Sequence, residues 1–174
     1  MWGIHIRTDY EDGSKTFRWD ALKCKLADLP LYRQWEIPHD APYVILVEGE
    51  KACDALWSAG YTAISTYGAE AIPSIERLHT LDGMAVCVWP DNDEAGRRCM
   101  DKIAGLLTVI GNPPLILQYL SAQPKDDAAD YIARGLVVDL ILGAGRVWED
   151  SWIYGAATKP AEAVPAAKKQ SGVW

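Results

Sequence analysis

Acidic residues lie just after two short apolar runs in this chain of 174 residues. The first run, residues 44–47, leads into Glu48. The second, residues 86–89, is followed by Asp91 and Asp93. Residues two apart on an extended segment point the same way, so these two aspartates can face one cation together. Carboxylates of this kind repel one another unless a positive charge lies between them, and their hard oxygens favour Mg²⁺ or Mn²⁺.

Each acidic position also has a purely structural interpretation. Asp93 precedes a helical pattern and suits the N-cap of that helix, while Glu48 suits an exposed position at the end of a strand. The joint placement favours a catalytic or metal-binding role, because both acidic segments lie after a buried strand and directly before a helix. In open α/β sheets the functional groups gather at the carboxyl ends of the strands.

Strand and helix patterns alternate along the part of the chain that must position these residues. Short apolar runs predict strands, and apolar residues at helical spacing predict helices between them. The predicted strands are residues 44–47, 62–66, 84–89 and 114–120, and the predicted helices are 51–59, 70–78, 93–110 and 128–134. This alternation, with short connections, predicts an α/β fold with an open, mainly parallel, four-stranded sheet flanked by helices.

The two ends of the chain follow other patterns. Apolar and polar residues alternate around a turn at Asp12-Gly13, which predicts a small N-terminal β-hairpin, and a connector with three prolines follows. The end of the chain is rich in Ala, Pro and Lys and has no periodicity. The predicted organisation is a β extension over residues 1–41, an α/β domain over 42–154 and a flexible tail or linker over 155–174.

The amino-acid composition and net charge limit the classes of protein to which this chain can belong. The hydrophobic fraction of 49% and charged fraction of 24% are those of a globular domain. The net charge of −7 excludes a basic surface all round, although a local groove can still be basic. No segment has the roughly 18 uninterrupted apolar residues of a membrane helix, and the N-terminus lacks a signal-peptide pattern. We therefore expect a cytoplasmic protein with no membrane partner.

The cysteines and histidines do not have the spacing of a metal site. Cys24, Cys53, Cys87 and Cys99 include no Cys-x-x-Cys pair, and the histidines are dispersed. The sequence therefore predicts no zinc site. The last three of these cysteines lie in apolar periodic segments, which favours small core residues in a reducing compartment over disulfides.

Three segments resemble, in order and spacing, the TOPRIM domain of bacterial-type DNA primases and of phage and plasmid primase-helicases. They read VILVEGEK at 44–51, STYGA at 65–69 and WPDNDEAG at 89–96. A further segment, PKDDAADYI at 124–132, is similar to the lysine and aspartate segment that follows the fourth strand of that domain. The resemblance covers residues 42–135, over half the chain.

The resemblance implies roles for particular residues. Glu48 matches the glutamate that acts as general acid or base in nucleotidyl transfer, and Asp91 and Asp93 match metal-binding aspartates. Either Asp127 or Asp130 matches a further acidic position near the metals. The implied catalytic residues are thus Glu48, Asp91 and Asp93. The implied ligands of Mg²⁺ or Mn²⁺ are these three with Asp127.

Other residues are candidates for binding phosphates and nucleic acid. Gly68 matches a loop glycine whose backbone passes close to the site, and Lys51 and Lys125 lie near the predicted phosphate path. Both lysines also suit exposed positions at a helix start or in a loop. Lys15 and Arg18 belong to a basic-aromatic strip that could contact single-stranded template by phosphate contact and stacking. The alternative is a hairpin that only covers an edge or face of the sheet.

The resemblance implies metal-dependent synthesis of short primers from nucleoside triphosphates on single-stranded DNA, beside a helicase or another replication protein. Two alternatives stay open: a non-catalytic nucleic-acid-binding or assembly module of a replication complex, and a TOPRIM nuclease that uses the same carboxylates for hydrolysis. No Walker motif is present, so any helicase activity would lie elsewhere.

Overall fold

A computed structural model describes residues 2–68, 71–119, 123–136, 138–143 and 146–147. The predicted tail at 155–174 lies outside the described residues. The strands are β1 (Ile4–Asp9), β2 (Lys15–Asp20), β3 (Tyr43–Val47), β4 (Ala63–Ser65), β5 (Ala85–Val88), β6 (Leu115–Ile116) and β7 (Arg146–Val147). The helices are α1 (Glu50–Ser58), α2 (Ile75–Leu78), α3 (Glu94–Val109), α4 (Ala128–Ala133) and α5 (Val138–Gly143).

The main sheet has the strand order β4-β3-β5-β6-β7. Its first four strands are parallel, and β7 is antiparallel to β6. The register aligns Ile45 with Ala63 on one side and with Cys87 on the other. The predicted α/β fold with a four-stranded parallel sheet and a separate hairpin is confirmed, and β7 adds a fifth strand that the sequence did not indicate.

Strand β3 lies at the centre and is buried on both faces. Tyr43, Ile45 and Val47 pack in the core against α1 and α4, whereas Val44 and Leu46 pack against α3 and the residues around α2. A strand covered on both faces has no polar side, which is why its sequence is a continuous apolar run. Three of the cysteines, at positions 53, 87 and 99, lie in these two cores as predicted.

Two elements, α2 and β6, are much shorter than their patterns predicted. Helix α2 begins at Ile75 and not at residue 70, because the chain is extended at Ser74, whose backbone N–H donates to the carbonyl of Ala27 at 2.8 Å. Strand β6 contains only Leu115 and Ile116, where a strand over 114–120 was predicted. Helix α5 and strand β7 were not predicted from the sequence.

The N-terminal segment forms the predicted hairpin and then packs on the sheet. Strands β1 and β2 are antiparallel, with His5 opposite Trp19 and Arg7 opposite Phe17. The proline-containing connector reaches the edge of the sheet, where Tyr32 forms an antiparallel bridge with Ser65 of β4. Within the described ranges, none of the helices has the length and apolar content needed to cross a membrane.

Candidate functional site

The predicted site residues meet at the carboxyl edge of the parallel sheet. Glu48 directly follows β3, and Asp91 and Asp93 follow β5, the neighbouring strand. Asp127 precedes α4, which packs with α1 in the core on the same face of the sheet. The topology therefore brings together acidic residues that are far apart in the sequence.

The charges of these carboxylates act on Asp91. The pKa of Asp91 is raised to about 7, mainly by burial and also by the negative charges of Glu48, Asp127 and Asp93. The ammonium group of Lys51 acts in the opposite direction. Like charges at short range make the ionised form of Asp91 unfavourable unless a cation compensates them. The Oε2 atom of Glu48 is itself excluded from solvent.

Asp93 has the structural role that its sequence position allowed. It is the N-cap of α3, and its Oδ1 accepts a hydrogen bond of 2.8 Å from the backbone N–H of Gly96. Its own N–H donates to the carbonyl of Asp91 at 2.8 Å. The DND segment is therefore fixed against the first turn of α3.

Gly96 allows that first turn to lie directly against Asp91. A Cβ atom at residue 96 would stand 2.8 Å from Cβ of Asp91 and 3.0 Å from its backbone N and O. Side-chain carbon atoms do not approach backbone this closely, so any larger residue would push Asp91 away from the helix. Packing against Asp91 thus explains why the WPDNDEAG segment has glycine at position 96.

The three acidic residues near α4 are in different environments. Asp127 and Asp130 form a capping box at the start of α4, and Nζ of Lys51 lies 3.0 Å from Oδ2 of Asp127 and 3.1 Å from Oδ1 of Asp130. Asp126 is buried and pairs with Arg134. Of these three, Asp127 is the one whose charge acts on Asp91.

Asn92 links the two acidic loops, a role that sequence reasoning missed. Its side-chain amide donates to the carbonyl of Gln123 at 2.8 Å, and its backbone N–H donates to the carbonyl of Asp126 at 2.8 Å. Its carbonyl accepts from the N–H of Lys125 at 3.0 Å. All three partners are backbone groups, which leave no signal in the sequence. The middle residue of DND therefore positions the segment that carries Asp127.

The loop after β4 is tied to the backbone of Glu48. The carbonyl of Glu48 accepts hydrogen bonds of 2.9 Å from the N–H of Gly68 and from Oγ1 of Thr66. Gly68 has a φ of 105°, a conformation that favours glycine. The backbone of Gly68 therefore lies against the backbone of Glu48. On the opposite loop, Lys125 is exposed and has a φ of 70°.

An aromatic layer lies beneath the carboxylates. The ring of Trp89, which is 1% exposed, stands 5.2 Å from the ring of Tyr119 and 5.6 Å from that of Tyr131, measured between centroids. Burial and the nearby charges of Asp91 and Asp127 raise the pKa of Tyr119. Because Trp89 and Tyr131 are buried, charges beside this layer are screened less than they would be in water.

The hairpin does not bring Lys15 and Arg18 together. Side chains alternate between the two faces of a strand, so these residues lie on opposite faces of β2. Lys15 shares its face with Phe17 and Trp19, and its Nζ lies 5.9 Å from the centre of the Phe17 ring. The predicted strip is therefore divided between two surfaces.

The donor set suits a hard divalent cation, since Glu48, Asp91, Asp93 and Asp127 offer only carboxylate oxygens. Among the described residues, however, no three His, Cys, Asp or Glu side chains already surround one point as metal ligands. Asp93 and Asp127 point their oxygens at helix N-termini instead.

Comparisons with known proteins identify solved structures of the same fold. No family model matches the sequence, and no curated protein does. The Aquifex aeolicus primase, in a structure of its zinc-binding and RNA polymerase domains, is 19% identical with a TM-score of 0.58, over 76% of this chain and 34% of that chain. A DNA primase domain from Pseudomonas aeruginosa is 17% identical with a TM-score of 0.51, over 77% of this chain and 47% of that chain.

A third similar structure is the primase fragment of the bacteriophage T7 primase-helicase protein, with 17% identity and a TM-score of 0.49, over 73% of this chain and 55% of that chain. The chain thus spans about a third of the Aquifex chain and just under half of the Pseudomonas chain. It shares its fold with these two bacterial primase fragments.

Proposed function

We propose that this chain is a primase-type nucleotidyltransferase unit that makes short primers on single-stranded DNA with a divalent cation. The observation that carries the proposal is the meeting of Glu48, Asp91, Asp93 and Asp127 at one edge of the sheet, where their charges act on Asp91. A set of carboxylates that repel one another is unfavourable in a purely structural role, and such strained groups are typical of functional sites. The fold shared with primase fragments supports the same reaction class.

In the proposed reaction, the 3′-hydroxyl of the primer attacks the α-phosphorus of a nucleoside triphosphate. A phosphodiester bond forms, the bond to the β-phosphate oxygen breaks, and pyrophosphate leaves. Glu48 accepts the proton of the attacking hydroxyl. Asp91, with Asp93 and Asp127, would hold Mg²⁺ or Mn²⁺, which supplies charge stabilisation for the reacting phosphates when bound.

Lys51 and Lys125 are the proposed phosphate contacts, beside the backbone of Gly68. Lys51 is 62% exposed and its two ion pairs with Asp127 and Asp130 are weak at such a position, so its ammonium group is available to a triphosphate. Lys15 and Arg18 remain proposed contacts for nucleic acid, each on its own face of the hairpin. A helicase or another replication protein is the proposed partner, and a phage or plasmid origin is part of the same proposal.

The test is extension of a primer already annealed to a DNA template, because this assay does not depend on an initiation partner. Labelled nucleoside triphosphates are supplied with Mn²⁺ or Mg²⁺. We expect Glu48→Gln to lower the extension rate by roughly 10²- to 10⁴-fold, the usual contribution of a general base, while binding of the template is retained.

The matched control is Glu76→Gln, which makes the same chemical change at an exposed position of α2. Equal extension by wild type and Glu48→Gln would refute the proposed role of Glu48. Cleavage of the labelled DNA by wild type, without extension, would favour a nuclease that uses the same carboxylates.

A non-catalytic module of a replication complex is the second candidate, and three contacts favour it. Oδ1 of Asp93 and Oδ1 of Asp127 cap helices, and Oδ2 of Asp127 lies 3.0 Å from Nζ of Lys51. If the carboxylates serve only the fold, Mn²⁺ will broaden no side-chain resonances near Asp91. Broadening that is lost in an Asp91→Asn, Asp93→Asn double variant would support the catalytic unit.

A further inference from the structure

A pocket of about 290 Å³ lies between the hairpin and the carboxyl edge of the sheet. On the hairpin side it is lined by His5, Phe17 and Trp19, which share one face of the two strands. These residues have no part in the reaction described above. We call this space the hairpin pocket.

The other wall of the hairpin pocket belongs to the loops that hold Glu48. Gly49 and Glu50 follow that residue in the chain, and Gly68 donates its N–H to the carbonyl of Glu48 at 2.9 Å. Tyr67 completes this wall. The pocket therefore adjoins the proposed catalytic residue through backbone that is only one residue away from it.

The hairpin wall is an ordered aromatic stack. The imidazole of His5 lies 4.6 Å from the ring of Trp19 at an interplanar angle of 11°, and 5.6 Å from the ring of Phe17 at 30°. The ring of Tyr67 meets Trp19 edge-on at 5.1 Å. Flat rings held in this way are the groups on which proteins stack nucleobases, independently of base sequence.

Glu50 holds the stack in place against the sheet. Oε1 of Glu50 lies 2.9 Å from Nδ1 of His5, and because an ionised carboxylate can only accept, His5 donates this hydrogen bond. The side chains of His5 and Glu50 are 17% and 32% exposed, so the contact is partly shielded from water. The first residue of α1 thus fixes the orientation of a ring in the hairpin.

Cationic side chains stand on the same face of the hairpin. The ammonium of Lys15 lies over the ring of Phe17. Arg7 is directly opposite Phe17 in the strand pairing and forms an exposed ion pair with Asp9 at 2.6 Å. A stacking surface with neighbouring positive charges is the combination that binds single-stranded nucleic acid, the charges contacting phosphates and the rings contacting bases.

We propose that the hairpin pocket binds one nucleobase, stacked on the ring pair of His5 and Trp19, beside Glu48. The inference rests on the proposed function, since it assigns a place to a base of the same reaction. The base belongs either to the template strand or to the incoming nucleotide, and binding measurements distinguish the two.

The experiment compares the full chain with Trp19→Ala by fluorescence anisotropy, using an end-labelled single-stranded oligonucleotide and the same strand made abasic. We expect the substitution to weaken binding of the base-bearing strand by about tenfold, within the range of one stacked base. Binding of the abasic strand is expected to stay the same. Trp19→Phe should restore most of the affinity, and Trp35→Ala, a change at a side chain 77% exposed outside the pocket, should have no effect.

A second arm measures ATP binding by calorimetry with Mg²⁺. A loss confined to the oligonucleotide assigns the pocket to the template, and a loss confined to ATP assigns it to the incoming nucleotide. Unchanged affinity for both ligands would overturn the proposal. Phe17→Ala, at a side chain 53% exposed, provides a second variant if Trp19→Ala unfolds the hairpin, with circular dichroism as the check.

These binding measurements do not depend on catalysis. Loss of primer extension in Glu48→Gln, with stacking intact, would support the proposed reaction and leave the pocket to be judged by its own variants. Failure of Glu48→Gln to reduce extension would count against the reaction, while base-dependent binding through Trp19 would still stand.

Discussion

The helices that begin at the carboxyl edge of the sheet start in two different ways. Helix α1 begins after Gly49, which has no side chain to offer as a cap. Helices α3 and α4 begin after Asp93 and Asp127, whose carboxylates accept hydrogen bonds of 2.8 Å from the backbone N–H groups of the first turn. Asp93 and Asp127 therefore cap helices, and the same role does not account for the other acidic residues of this edge.

This difference separates the carboxylates into two kinds. Asp93 and Asp127 stabilise helix ends and are expected to contribute to folding whether or not a metal is bound. Asp91 is buried beside like charges. Its ionised form is therefore unfavourable and lowers the stability of the folded state. We expect substitutions of the two kinds to change stability in opposite directions.

The largest effect is expected from Asp91→Asn. A carboxyl whose pKa is raised in the folded state contributes stability at pH below its unfolded value of 3.8, and this contribution is lost as the pH rises through about 7. About three pKa units correspond to at most roughly 4 kcal/mol, and relaxation around the charge lowers this figure. Without divalent cations, Asp91→Asn should melt higher than wild type at pH 8 and equally at pH 4.

The same thermal melts, repeated with divalent cations, give a second test of the role of Asp91. Mn²⁺ at pH 8 should stabilise wild type more than Asp91→Asn, because only the carboxylate gains from a bound cation. Chelation should restore the original difference. A variant that melts below wild type at pH 8 in the absence of metal would contradict the interpretation that the cluster is unfavourable without a counter-charge.

The sequence predicted the members of this cluster but not their division into two kinds. Strand ends and helix starts placed Glu48, Asp91 and Asp93 at one edge, and the N-cap interpretation of Asp93 was correct as far as it went. The burial of Asp91 depends on Gly96, whose missing side chain lets α3 approach. Such a distance is a property of packing between elements, and local patterns do not contain it.

Asp93→Ala tests the capping side of the comparison. Removing an N-cap costs about 1 kcal/mol, which lowers the melting temperature by roughly 2–4 °C in a protein of this size. Asp93→Asn keeps an acceptor for the N–H of Gly96 and should melt close to wild type. Thermal melts of both variants without metal check this. If alanine and asparagine melt alike, the hydrogen bond to Gly96 contributes nothing measurable.

Lys51→Met is expected to have the smallest effect on stability. Its ion pairs with Asp127 and Asp130 are exposed, and such pairs contribute about 0–1 kcal/mol. The pKa of Asp91 should rise, because Lys51 lowers it in wild type. A carboxyl titration followed by NMR measures this. Lys102→Met, at an exposed position of α3, is the control and should leave the pKa of Asp91 unchanged.

The hairpin shows what sequence patterns could have predicted and did not. Lys15 and Arg18 are three residues apart, an odd separation that places them on opposite faces of a strand. The even spacing of Lys15, Phe17 and Trp19 was available in the same segment and marks the face that lines the pocket. By contrast, the contact between His5 and Glu50 joins residues 45 positions apart and has no local signature.

The bridge between Tyr32 and Ser65 has a consequence for how the protein behaves among other copies of itself. Strand β4 ends the sheet on one side, and an uncovered outer strand offers its backbone to any extended chain that meets it. The N–H of Tyr32 donates to the carbonyl of Ser65 at 2.9 Å, and the N–H of Ser65 donates back at 3.3 Å. The proline-containing connector thus occupies backbone groups of β4 through which β-strand aggregation would begin, so we expect substitutions that detach Tyr32 to lower solubility.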